Sequence, residues 1–207
     1  MKSRTPTSTT LKSSLATFAL LCVAATTAQT VIPESVALPA SALDKTKPGF
    51  AVRVFQATGP QLENSIARAE AQIAGLLINP ETGQPYANIA DLSLFNADGV
   101  YEEENVISYS GSTFFPGIPG TEFTTINIAM EAITYVELQP GTYTMVVNSD
   151  DGFRVTTGNV FDRLQEIILG QYDGGRSASD TVFSFTVTKA GVYPFRLVYF
   201  QGGGSYV

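Results

Sequence analysis

The chain has 207 residues, a formal net charge of −7, no His, no Trp and a single Cys. Without His, Ser-His, Cys-His and His-metal chemistries are excluded, and an acidic surface repels phosphate backbones and anionic lipid, which argues against nucleic-acid and membrane-surface partners while suiting divalent cations.

Residues 1–12 carry three basic side chains and no acid, residues 15–25 are apolar, and small residues follow as far as Ala28. This is the layout of a secretory signal peptide, with an apolar core too short to anchor a mature chain across a bilayer, so cleavage is expected after Ala28 and the product is expected to be secreted. A lipoprotein reading through Cys22 is weaker, because Leu21 occupies the place of the small residue such a signal needs before its cysteine. Cleavage removes Cys22 and three of the twelve basic residues but none of the nineteen acidic ones, so the charge moves from −7 to −10. One hydrophobic core is large enough at this length to hold without disulfides. No later apolar run is long enough for a membrane span, and the mature chain is expected not to insert.

Residues 29–47 are small, proline-bearing and aperiodic, which predicts a flexible leader. The segment GFAVRVFQA (residues 49–57) alternates as a strand does. A helix is expected over residues 60–77, from Pro60, with Leu62, Ile66, Ala69 and Ile73 at helical spacing and Glu63 near its start. NPETGQP reads as a loop. Further alternating segments follow: ENVISYS, TTINIAM, ITYVEL, GTYTMVV, TVFSFTV and VYPFRLVYF, separated by Gly, Pro, Asn and Asp clusters. The pattern predicts an all-β fold, an antiparallel β-sandwich with one short helix near its N-terminal side, spanning residues 48–207 as one domain. After VYPFRLVYF the chain enters QGGGSY and stops at Val207 as an extended segment begins, so a truncated last strand and further domains beyond Val207 are expected.

The stretch VVNSDDGFRV sets Asp150 and Asp151 side by side at the end of one alternating segment and just before Gly152. Two adjacent carboxylates do little for a core, but they offer several oxygens to a hard cation such as Ca²⁺, which takes six to eight oxygen ligands. In an ordinary extended pair the side chains point to opposite faces, so convergence on one ion needs an unusual backbone such as a cis peptide. The competing reading is a solvated turn, for which Asp-Asp-Gly is good chemistry.

LQPGTYTMVVNSDDGFRV (residues 138–155) and TVTKAGVYPFRLVYFQGGGSYV (residues 186–207) together resemble the protective-antigen fourteen-kilodalton domain family, a β-sandwich module of bacterial toxins, glycosidases and yeast flocculin-type adhesins. The likeness is good over residues 126–207 and loose from residue 49 onward. It implies that Asp150 and Asp151 form a cis pair ligating Ca²⁺, and that the loop before the last strand completes the site. Here that loop supplies Gln201 and the carbonyl of Gly203 as further metal ligands, with Gly202, Gly203, Gly204, Ser205 and Tyr206 beside the bound ligand. It implies a secreted, calcium-dependent carbohydrate-binding module, lectin-like or adhesin-like, whose partner is a glycan or cell-surface polysaccharide. Open calcium positions would accept vicinal sugar hydroxyls, a shallow mode of binding that multivalent display strengthens. Tyr172, Tyr199 and Tyr206 are the aromatics nearest in sequence to these loops. For each, the alternative is an ordinary half-buried tyrosine.

Other constellations read as structure. Asn96, Asp98 and residues 102–104 form an acidic turn without the register of a calcium loop, and FPGIPG (residues 115–120) reads as a bend. DGGRSASD (residues 173–180) lacks the lysine of a phosphate loop and is placed beside the Asp-Asp-Gly turn, with Asp173 a remote candidate ligand. A spacer sandwich with no soluble ligand is the alternative function. A two-carboxylate glycosidase using Asp98, Glu102, Glu131 or Glu137 is the third, and no spacing among those four selects a pair.

Overall fold

A computed structural model of the chain describes residues 29–43, 46, 50–57, 60–84, 95–97, 126–159, 162 and 164–203. Its strands are β1 (Thr30–Ile32), β2 (Phe50–Gln56), β3 (Phe95–Ala97), β4 (Ile128–Leu138), β5 (Gly141–Ser149), β6 (Gly152–Gly158), β7 (Glu166–Tyr172), β8 (Ser179–Val187) and β9 (Gly191–Gln201), with one α-helix, α1 (Ile66–Ile73). They form a sheet in the order β3-β2-β4-β9-β6-β7 and a smaller one in the order β1-β8-β5. All pairs are antiparallel except β1 with β8. The molecule is thus an all-β sandwich with one short helix.

Alternation along β9 explains both layers. Tyr193 and Phe195 point inward and pack with Phe153, Val155 and Leu169 of the large sheet against Ile32, Phe185 and Val187 of the small one. Val198 and Phe200 point the other way, where Ile66, Ala69 and Ile73 of α1 cover them. The helix therefore lies on the outer face of the large sheet.

Four expectations need correction. The segment predicted as a flexible leader is ordered over residues 29–43. Ile32 is completely buried and β1 pairs with β8 from Thr30↔Phe185 to Ile32↔Val187, while Leu38 bridges Val192. Three residues are too few to show a period, so the strand left no alternation to read. The helix begins at Ile66, not Pro60, because the hydroxyl of Ser65 accepts from the Arg68 backbone N–H and caps it there. TTINIAM and ITYVEL are not separate strands: residues from both lie in β4. β7 was not foreseen, since Gly170 interrupts its apolar run; a Cβ there would lie 2.2 Å from the Phe183 ring, so the two sheets meet over that glycine.

The acidic turn at Asp98 and residues 102–104, the ENVISYS segment, the FPGIPG bend and the signal-peptide residues lie outside the described residues.

Candidate functional site

Register brings two chain reversals and the end of β9 to one end of the sandwich. Gly152 pairs with Phe200 and Phe153 with Tyr172, so the start of β6 lies beside the ends of β9 and β7. Ser149 pairs with Ser179, which places the end of β5 beside the start of β8. Residues 150–151 cross from the small sheet to the large one, residues 173–178 cross back, and residues 202–203 leave β9 between them.

The Asp150–Asp151 peptide is cis, as the sequence resemblance implies. Gly152 follows because its place is filled: a Cβ there would lie 2.3 Å from the Phe200 ring and 2.7 Å from the Tyr172 carbonyl. Asp151 is buried, 6% exposed, and its carboxylate is held from three directions. Oδ2 accepts from the Gly202 backbone N–H and from Asn64 Nδ2, each at 2.8 Å, and Oδ1 accepts from the Arg176 backbone N–H at 3.0 Å. DGGRSASD does flank the aspartate pair.

Asp150 is more open. Partial desolvation and then the neighbouring Asp151 charge push its carboxyl above the usual range, against the opposing pull of the Ala178 backbone N–H and Arg176. Its backbone carbonyl accepts from the Tyr199 hydroxyl. Arg176 braces the crossing: Nε and Nη2 donate to the carbonyl and hydroxyl of Ser149 at 3.0 and 2.7 Å, Nη1 donates to Thr181, and the guanidinium lies 4.4 Å from the Tyr172 ring centre.

Of the residues expected at the site, Asp150, Asp151, Gln201, Gly202 and Gly203 come together, and Gly204, Ser205 and Tyr206 lie outside the described residues. Gln201 is fully buried and spans the loop, accepting from the Tyr199 hydroxyl at 3.3 Å and donating to the Gly203 carbonyl at 2.8 Å. Tyr199 is buried in the core with Val52, Val54, Ile128 and Met130, so its ring has no face for a sugar. Tyr172 is exposed. Asp173 accepts from the Ile66 backbone N–H at 2.7 Å, a helix-capping contact. Glu131, weighed as a glycosidase carboxylate, has both oxygens occupied by Arg53 and Arg196 and is buried; Glu137 is exposed on β4.

The sequence reading missed Asn64, whose position inside a predicted helix hid its contact with Asp151, 87 residues away. Asn127 was also missed. At φ 58° it accepts from the Leu62 backbone N–H at 2.8 Å and donates to the Pro60 carbonyl at 2.9 Å, holding residues 60–64 extended across the loops. The signal for both was Ser65, a preferred N-cap residue immediately before the periodic Ile66, Ala69 and Ile73.

An ion at this rim would meet oxygen ligands, the kind a hard cation takes. Among the described residues no group of three His, Cys, Asp or Glu converges, so an ion would rest on the two aspartates and neutral oxygens. The buried Oδ1 of Asn64, beside Asp151, has no hydrogen-bond partner among the described residues.

This arrangement defines an all-β sandwich with an aspartate pair at the rim where three loops meet. No family model matches the chain, and no curated protein matches it. Among solved structures, it is similar to the PA14 domain of the antifreeze protein MpAFP, at 18% identity over 77% of this chain and 78% of that one, with a TM-score of 0.47. It is similar also to a PA14 sugar-binding domain from an RTX adhesin, at 20% identity over 76% and 85% of the two chains, with a TM-score of 0.45. A third is the epithelial adhesin 9 A domain of Candida glabrata in complex with Galβ1-3GlcNAc, at 13% identity over 86% and 83%, with a TM-score of 0.45.

Proposed function

We propose that the chain is a secreted carbohydrate-binding module of adhesin type whose rim holds Ca²⁺ through Asp150 and Asp151. The observation that supports this most is the aspartate pair itself: two adjacent carboxylates at one rim, that of Asp151 fixed by N–H donors on both oxygens and that of Asp150 partly exposed beside the Ala178 backbone N–H. Asp150 and Asp151 would supply the charge, and carbonyls of the 202–203 loop would supply neutral oxygens. Bound Ca²⁺ supplies open coordination positions for vicinal hydroxyls of a glycan. The protein's part is orientation. Arg176 and Asn64 hold the loops on either side of Asp151, and Tyr172, exposed and backed by Arg176, offers an aromatic surface beside them.

The test is a glycan array with calcium and with chelator, on the parent and on Asp150→Asn, joined to thermal melts of the same samples. Extracellular calcium modules have Kd near 10⁻⁴ M, so ~10 mM calcium stabilises by roughly 2.7 kcal/mol. For a chain of this size that raises Tm by roughly 5–10 °C. An unchanged melting temperature and calcium-independent retention in the parent would sink the metal site; no retention on any glycan would leave a spacer sandwich.

A further inference from the structure

We infer that Asn64 is the positioning residue of the aspartate pair: its side-chain amide locks the Asp151 carboxylate between the two loops that flank it. This rests on the calcium-site reading and adds to it a residue from the segment ahead of α1.

Three observations carry it. Two of the donors on Asp151, the backbone N–H groups of Gly202 and Arg176, come with the loops, whereas Asn64 Nδ2, at 2.8 Å from Oδ2, is a side chain delivered from elsewhere in the fold. Both loops also leave room for it. A Cβ on Gly202 would fall 2.3 Å from Asn64 Oδ1 and 2.4 Å from Nδ2, and one on Gly175 would fall 3.0 Å from Nδ2. The amide is slotted between two glycines: a side chain at Gly202 would displace it, and one at Gly175 would crowd it. Finally, the amide is committed to the carboxylate: turning Nδ2 toward Asp151 leaves Oδ1 buried without a partner among the described residues, so the side chain keeps the Asp151 contact at the expense of its own oxygen.

The segment that bears Asn64 is anchored independently of it. Leu62 is held by Asn127, Ile66 by Asp173, and Arg68 by the Ser65 cap. Replacing the Asn64 side chain therefore leaves its backbone in place. A carboxylate fixed beforehand loses less freedom when an ion arrives, and partners one shell out from a metal commonly govern about 10–100-fold of its affinity.

The experiment uses the whole chain with Asn64→Leu, which keeps the branched shape, and Asn64→Ala as a second variant. Three quantities are measured: calcium affinity by calorimetry, Tm in chelator, and the hydrogen-exchange rate of the Gly202 amide in chelator. The expected result is a loss of about 10-fold or more in calcium affinity and faster Gly202 exchange, with Tm in chelator at or near the parent value. Unchanged affinity in both variants overturns the proposal, as does a loss matched by an equal fall in Tm. A parent that takes up no calcium overturns the calcium reading by itself; the Gly202 exchange then decides the Asn64 role, faster exchange supporting it and an unchanged rate overturning it.

Discussion

Arg196 donates through Nη1 and Nη2 to both oxygens of Glu70, at 2.8 and 2.7 Å, and so ties β9 to α1 across 126 residues. Its Nε reaches Glu131 at 2.7 Å, and Nη1 lies 3.7 Å from Glu166. All four side chains are buried. Burial alone opposes the charge on Arg196, but hydrogen bonds and charge from Glu70 and Glu131 more than offset it and hold the guanidinium above its usual range. Removing the cation strands buried carboxylates, which costs about 3–5 kcal/mol. Arg196→Met is expected to lower Tm by roughly 10 °C or more. Arg53→Met, at the 40% exposed end of the same network, is expected to cost about 1 kcal/mol or less. Thermal melts of both variants check the contrast.

Ile32 gives a second stability test. It is completely buried between the sheets although it stands only four residues after the expected cleavage site. Ile32→Ala removes core volume, and such changes cost about 2–5 kcal/mol. A flexible leader would tolerate the substitution with no change in denaturation midpoint. Urea titration of parent and variant separates the two outcomes.

Asp150 links stability to pH in a direction opposite to most carboxylates. Asp150 is raised in the folded state by desolvation and by Asp151, so between its unfolded and folded values the native chain binds more protons than the unfolded one. Its contribution therefore favours the fold at lower pH and is lost as pH rises through the folded value. Asp150→Asn removes that contribution. In chelator, the stability of the variant minus that of the parent is expected to grow as pH rises from about 4 to 7, while calcium ceases to raise Tm in the variant. Melts in chelator across that range, read as differences, isolate this group from the other carboxylates.

Much of this was legible because its signal was local. Asp150, Asp151 and Gly152 are contiguous, and the alternation of residues 141–147, 181–187 and 192–200 showed the strands that the structure has as β5, β8 and β9 without reference to partners. What was not legible depends on contacts distant in sequence. Asn64 and Asp151 meet only because α1 docks on the outer face of the large sheet, and Gly152 is glycine because of Phe200, not because of the turn alone. Tyr199 had the alternation of a strand residue, yet its burial depends on Val52 and Val54 of β2 and Ile128 and Met130 of β4, strands far from it in sequence. Arg68 is similar. Polar by type, it is buried against the carbonyls of Glu63, Ile128 and Gln201 and is pulled down to about 10 by desolvation, against the raising influence of Asp151 and Glu63. No pattern within α1 distinguishes it from a solvated arginine.

Two glycines, Gly202 at the rim and Gly170 between the sheets, give the last prediction, because they face different neighbours at nearly the same distance. A methyl group on Gly202 meets the Asn64 amide at 2.3 Å, and a methyl group on Gly170 meets the Phe183 ring at 2.2 Å. Both substitutions crowd a filled space, for which the cost is about 1–3 kcal/mol. Only the first displaces a group that holds Asp151. Gly202→Ala is therefore expected to lower calcium affinity by about the same factor as Asn64→Leu, on the order of 10-fold, while Gly170→Ala lowers Tm and leaves calcium affinity where it was. If the two rim changes act through one contact, they cannot add: the Asn64→Leu, Gly202→Ala double variant should bind calcium no more weakly than the weaker of the two single variants. Calorimetric titration of the four-member cycle measures this. Additive losses would mean that Gly202 serves the site through its own backbone and not through the slot it leaves for Asn64.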